Sequence, residues 1–542
     1  AGDDGRAVAV RLARRRFLTL LVGAAAGTTA ACSESPPASR LAADPTAPAP
    51  PGHGPRNAAQ LARPAPKKPT YPNATVAENA RVGDPNWQIT DAGPAHAIEG
   101  YADRVSVLPG QPFGLYVSTS ARAYRINAYR IGWYDGAGAR LVWRSAQLPG
   151  HRQASPTVTP GVRMVRAPWQ RGTVIDTTNW PEGCYLLRLD AVGRSGQQYV
   201  PLTIRSSSAH DRTVIMNAQP TWQAYNQWGG YSLYTGPYGG LADRSLLVTF
   251  DRPYSEDLGA GQFLAFEQPL VRLAERLGLS LAYLAATDVA AEPSVLDGAR
   301  SVLSLGHDEY WSPQRRRHVT VARDAGTNLA ILGANCCYRR VRLASSPLGS
   351  RRVIICYKGD WNLDPGVRHG DPPTANYRDS PRADPESRLD GVIYEGFPVD
   401  ASYVITEPRH WVLTGTGARA GDVYPHLVGV EYDRVNPAYP TPHNIDVFAH
   451  SPVDCSGTWS FSDSAYYSTG SGAGVFATGT MRWVDALRAH GPARIGRDHG
   501  IDGRTGQLVE TVTTTVLREF SRGPAGLVHP AHGSARRIYG TI

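Results

Sequence analysis

Two hydrophobic patterns divide the chain. From about Trp87 to Arg205, short runs alternate apolar and polar residues in the period-2 manner of half-buried strands, over 98–102, 113–118, 123–133, 140–145, 185–190 and 199–204. Turn signals such as Pro109-Gly110 and Asp135-Gly136 separate them. Many short strands at this spacing predict an antiparallel β-sandwich. From Thr213 the runs become continuously apolar and alternate with helical stretches: a strand at 213–217, a helix from about 263 to 277, a strand at 279–284 and a helix near 288–296. That alternation predicts a mostly parallel sheet flanked by helices. The expected fold class is therefore α/β with an N-terminal antiparallel β-sandwich.

The stretch 299–343 organises the second region. Residues 299–305 read as a buried strand, Ser312-Pro313 as an N-cap followed by proline at the first helical position, and Gly326 as the stop of that helix. Residues 328–333 read as a second buried strand. A strand–helix–strand unit of this kind has a right-handed crossover and parallel strands. If the strands are neighbours, the segments His307-Asp308-Glu309-Tyr310-Trp311 and Asn335-Cys336-Cys337-Tyr338 share the sheet rim where open α/β folds place ligands. The aromatic segment 221–234 leaves the end of the strand 213–217, so Asn217, Trp222, Tyr225, Asn226 and Trp228 are candidate substrate-binding walls of the same crevice. Further on, a strand at 353–357, a polar surface excursion over 360–389, Glu431 at the end of an apolar run, a strand and turn over 472–483 and a helix over 505–520 complete the expected order.

Basic residues exceed acidic ones by nine, but lysine is confined to Lys67, Lys68 and Lys358, the mark of coding bias rather than of a polyanion surface. No basic run with interleaved aromatics occurs beyond the amino-terminal segment, so nucleic-acid binding is not expected. Residues 1–32 read as an export leader: Arg14-Arg15-Arg16-Phe17-Leu18 precedes an apolar stretch too short to span a bilayer, in the manner of a twin-arginine signal. Thr29-Ala30-Ala31-Cys32 resembles a lipoprotein cleavage site with Cys32 as the lipidated residue, although Thr29 stands where leucine is usual. The expected location is thus extracytoplasmic, either membrane-anchored or secreted. Residues 33–80 are a Pro/Ala-rich linker expected to be disordered, followed by a sandwich domain over 81–207, an α/β domain over 208–521 and a tail over 522–542. Besides Cys32 the cysteines are Cys184, Cys336, Cys337, Cys356 and Cys455. An odd count leaves at least one thiol free unless it pairs between chains, and a bridge from Cys336 or Cys337 to Cys356 is open.

The rim residues admit three chemistries. Phenolate and carboxylate oxygens suit a hard cation. Cys336 just after a strand, with His307 as base, suits a thiol amidohydrolase. A Tyr/Trp-rich cleft without catalysis suits a cell-surface glycan binder.

The stretches TWQAYNQWGGYSLY, GHDEYWS, ARDAGTNLAILGANCCYRRVR, ICYKGD, VGVEYD and GVFATGTMRW, in this order, resemble the large (beta) subunit of N,N-dimethylformamidase and its exported relatives over roughly residues 95–520. The resemblance implies a sandwich-like region joined to an α/β domain of class I glutamine amidotransferase-like topology. It also implies a mononuclear iron, Fe3+, held by two tyrosines and a glutamate, that hydrolyses an amide. Carried over, the tyrosines are Tyr310 and Tyr338 and the glutamate is Glu431. His307, Asp308 or Glu309 would be the general base, and Asn335 would orient water or carbonyl. The small subunit has no counterpart here. The expected partner is a small amide substrate, and homo-oligomerisation stays open.

Overall fold

The structure is a computed structural model that describes residues 71–488 and 499–540. The expected leader, Cys32 and the linker up to residue 70 lie outside the described residues. Among the described residues no helix is long and apolar enough to cross a membrane.

The protein is a mixed α/β fold. Its largest sheet has seven strands in the spatial order Leu281–Ala285, Thr213–Asn217, Ser301–His307, Asn328–Ala334, Gly474–Ala477, Thr458–Ser468 and Asp446–Cys455. The first five run parallel, and the last two form an antiparallel hairpin on one edge. The five parallel strands are buried at every residue, which is why they read as continuous apolar runs. The edge hairpin turns through Ser456 and Gly457, both at positive φ, as the twist of a two-residue hairpin loop demands. The sequence pattern did not disclose this hairpin.

The strand–helix–strand unit forms as read. Ser301–His307 pairs in parallel with Asn328–Ala334, and His307 stands opposite Ala334. The helix Pro313–Asp324 joins them, with the Ser312 hydroxyl accepting the Arg315 N–H. The two strands approach so closely at the rim that a Cβ on Gly333 would lie 1.8 Å from the Gly306 carbonyl oxygen. Only a residue without a side chain fits there.

Before this region come a three-stranded sheet containing 98–102 and 113–119 and a six-stranded one containing 123–131, 183–191 and 197–204. Pairing is antiparallel apart from a short parallel pair at the edge. One apolar cluster that includes Ile98, Phe113, Leu115, Ile126, Leu187 and Leu202 draws on both sheets. A second joins this region to the large sheet through Tyr129, Ile131 and Leu186 against Ile215, Trp222 and Phe263. The buried Arg130–Glu275 ion pair, at 2.9 Å, crosses the same boundary.

Three segments differ from expectation. The end of the predicted linker is a helix, Ala74–Asn79, capped by Asn73 and holding buried Glu78 against Arg140 and Tyr134. The predicted excursion 360–389 docks instead of standing in solvent, because Asp364, Thr374, Glu386 and Ser387 are buried with partners. The predicted tail docks as well: Tyr466 donates to the His529 carbonyl, and Asp446 accepts the His532 and Ser534 N–H groups. All five described cysteines are free thiols, so the open bridge to Cys356 is not made.

Candidate functional site

The strands Ser301–His307 and Thr213–Asn217 deliver their following segments to one rim, and Glu309 becomes the hub there. Tyr225, the last residue of the helix Gln219–Tyr225, donates its hydroxyl to Glu309 Oε2 at 2.6 Å. Tyr234 donates to the same carboxylate at 2.7 and 2.8 Å. The two phenol oxygens are 2.9 Å apart, and their rings stack with centroids 4.4 Å apart. Tyr310 joins from below, its hydroxyl 2.8 Å from that of Tyr234. Arg339 closes the far side, with Nε 3.2 Å from Glu309 Oε1.

Local geometry explains this convergence. The two-residue strands Tyr310–Trp311 and Arg339–Arg340 pair in parallel, Tyr310 opposite Arg339 and Trp311 opposite Arg340. Alternation along a strand sends Tyr310 and Arg339 to the Glu309 side and their neighbours to the other. The loop that carries Tyr225 and Tyr234 is held by Arg252, a buried guanidinium that donates to the carbonyls of Asn226, Trp228 and Tyr231. Burial without a carboxylate partner lowers the Arg252 pKa to about 9.

His307 is buried beside the hub. Its Nδ1 lies 3.0 Å from Gln262 Oε1, its ring meets Tyr225 edge-on, and its Nε2 is 3.6 Å from Glu309 Oε2. That Nε2 is buried and makes no hydrogen bond. Asn335 sits at positive φ, a conformation asparagine tolerates, and its N–H donates to Asp433 Oδ1 at 2.8 Å. Its Nδ2 donates to Glu431 at 2.5 Å, while its buried Oδ1 has no partner. Burial, then the Glu309 charge, holds the Tyr225 and Tyr310 phenols well above their ordinary range.

The structure thus separates the residues singled out from sequence. Glu309, Tyr225, Tyr310 and His307 come together. Asp308 does not join them: Arg315 grips both its carboxylate oxygens and Ser304 donates to it, so it braces the turn. Glu431 accepts the Asn335 amide, and its charge reaches the Tyr225 phenol. Among the described residues the Tyr338 hydroxyl has no hydrogen bond, and its ring lies under the Arg339 and Arg378 guanidiniums and against Tyr394. Of the five expected walls Tyr225 reaches the hub, and the other four are buried with protein partners. Trp222 is 2% exposed and donates to Glu267, and Asn217 donates to the same carboxylate. Asn226 pins Ser255 and Trp228, and Trp228, 7% exposed, donates to Glu99. Cys336 contacts Ser304 and has no bond to His307, and burial followed by the Asp308 charge pushes its thiol well up. Tyr234 was missed although it lies in the same aromatic segment, because nothing in its spacing marks it off from Tyr231.

Among the described residues no group of three or more His, Cys, Asp or Glu side chains is placed to hold a metal ion. The oxygens of Tyr225, Tyr234 and Glu309 are a different donor set, two phenols and one carboxylate, and they suit a hard cation. No curated protein matches the chain. A family model described as N,N-dimethylformamidase beta subunit-like, C-terminal, matches residues 125–496, which takes in the hub and both segments that build it. The chain belongs to the N,N-dimethylformamidase beta subunit-like family.

Proposed function

We propose that this protein hydrolyses the C–N bond of a small amide at the Glu309 hub, with iron held by Tyr225, Tyr234 and Glu309. The observation that carries the reading is the meeting of two phenol oxygens on one buried carboxylate, with an unpartnered imidazole nitrogen alongside. This ligand set differs from the trio Tyr310, Tyr338 and Glu431 expected from sequence. It satisfies the same rule of two tyrosines and a glutamate with residues that are already in contact. When bound, iron supplies Lewis acidity toward the amide carbonyl and lowers the pKa of water for attack.

The remaining work falls to the chain. His307 Nε2 is placed to take a proton from attacking water and return it to the leaving amine, the usual double duty of one acid–base group. Gln262 holds the opposite ring nitrogen and so sets the tautomer. Asn335, anchored through Glu431 and Asp433, directs its free Oδ1 toward a donor such as the water or the amide N–H. Tyr310 supports Tyr234 from behind and fixes its hydroxyl. The same reading takes the parallel sheet as glutamine amidotransferase-like, the two N-terminal sheets as a sandwich, and the leader as an export signal with Cys32 as a lipid anchor.

The test is direct. Full-length protein from iron-replete cells should carry about one iron per chain and release amine from a panel of small formamides and acetamides. Iron-free protein that stays inactive after reconstitution with ferric or ferrous salt would remove the amidase reading. Membrane fractionation of Cys32→Ser tests the anchor separately, with release into the soluble fraction as the expected result.

A further inference from the structure

A second concavity lies between the helix Pro313–Asp324 and the segment 372–388. It has a volume of about 540 Å³ and is lined by Arg316, Arg317, Arg323, Arg340, Arg382 and Arg388, with Asp384 its lone lining carboxylate. We propose that this groove binds a soluble small molecule bearing phosphate groups. The proposal is independent of the amidase reading.

Charge carries the argument. Asp384 reaches Arg316 at 3.0 Å and Arg388 at 4.0 Å, and its charge also acts on Arg340, so one carboxylate serves three guanidiniums. Arg323 pairs with the exposed Asp324. Among the described residues the hydrogen bonds of the others go to neutral groups: Arg317 approaches the His318 ring at 3.4 Å, Arg382 donates to the Gly370 carbonyl at 3.4 Å, and Arg340 donates to the carbonyls of Pro373 and Arg382. Arg340 is 4% exposed, so a guanidinium sits desolvated against the groove without a carboxylate bonded to it. Like charges gathered this closely repel one another, and an oxyanion in the groove removes the penalty. Arg316 and Arg340 are also preset in direction, because both guanidiniums stack on the Tyr377 ring, at 4.8 and 4.7 Å from its centroid. Fixed planar forks match phosphate oxygens pairwise, which flexible ammonium groups do not.

Shape selects among anionic ligands. The volume is that of a small-molecule site. Arg316 and Arg340 are 5% and 4% exposed, so their groups are reached by a ligand that enters and not by a membrane plane that lies across the rim. Arg317, Arg382 and Arg388 are exposed and form that rim. The placement of Arg340 follows from the two-residue strand 339–340: Arg339 turns to the Glu309 hub, and its neighbour Arg340 turns to the groove.

Titration calorimetry of the full-length protein with inorganic pyrophosphate tests the proposal. Wild type should bind with an affinity that falls as salt rises. The double variant Arg317→Ala/Arg382→Ala, confined to exposed side chains, should lose at least tenfold. The control Arg122→Ala/Arg194→Ala removes the same charge from the N-terminal region and should bind as wild type. Asp384→Asn should bind more tightly, a gain that unfolding cannot imitate. Absence of binding at millimolar pyrophosphate, or equal losses in the groove and control variants, overturns the proposal. So does binding to phosphatidylglycerol vesicles without binding to pyrophosphate, which would make the face a membrane contact.

Discussion

Tyr225 and Glu309 are 84 residues apart in sequence, yet the tyrosine hydroxyl donates to the glutamate carboxylate at 2.6 Å. One ends a short helix after the strand Thr213–Asn217, and the other follows the strand Ser301–His307, and these strands are direct neighbours in parallel. Neighbouring parallel strands bring their following segments to the same rim, so this contact is a consequence of strand order. Tyr234 adds the second phenol, and the site is built from that pair outward.

The ligand assignment is decided by comparing two sets of variants. Tyr225→Phe, Tyr234→Phe and Glu309→Gln should each lose most bound iron, and with it the visible phenolate-to-ferric absorption. Tyr338→Phe should keep both. Metal analysis and absorption spectra, with circular dichroism to confirm folding, read the difference. Retained iron in all three hub variants together with loss in Tyr338→Phe would return the assignment to Tyr310, Tyr338 and Glu431.

A base and a ligand fail differently. His307→Gln should keep iron and cut turnover by ~10²–10⁴-fold, the usual contribution of a positioned acid–base group. Steady-state kinetics beside metal content checks this. Loss of iron in His307→Gln would make the imidazole a ligand.

Cys336 should be dispensable. Its thiol is buried and pushed well up, and it has no imidazole partner. Cys336→Ala should retain amidase turnover within a few-fold, and the native protein should resist thiol reagents at this position. Abolished turnover in a folded Cys336→Ala protein would favour the thiol mechanism instead.

Stability should fall as pH rises. Burial, then the charges of Glu386 and Glu431, pushes the Asp433 carboxyl up to about 8, against the Asn335 N–H that favours its anion. Burial likewise pushes Glu267 up to about 8. Their unfolded values lie near ~4. Between about 4 and 8 the native state therefore binds more protons than the unfolded chain, so this stabilisation is full below ~4 and is lost as pH climbs through 8. Thermal melts from pH 5 to pH 9 should show the decline. Asp433→Asn keeps an acceptor for the Asn335 N–H and should flatten part of it. An unchanged pH slope in that variant would mean that Asp433 is ionised in the native state throughout.

Much of the framework was legible because its signals are local. The strands Ser301–His307 and Asn328–Ala334, the helix Pro313–Asp324 with its Ser312 cap, and the shared rim all follow from apolar runs, a proline at the first helical position and parallel-strand geometry. The family was legible for the same reason: GHDEYWS and the aromatic segment 221–234 are contiguous strings. Tertiary structure alone decided which oxygens meet. Tyr225, Tyr231 and Tyr234 share one segment, and only the path of the chain around Arg252 brings the first and third of these to Glu309. Asp308 and Glu309 are adjacent, yet the turn gives one to Arg315 and the other to the tyrosines, a choice that side-chain direction makes and composition does not. Sequence determines the elements through periodicity and caps. Which side chains share a site depends on distances between elements far apart along the chain, and those exist only once the sheet has formed.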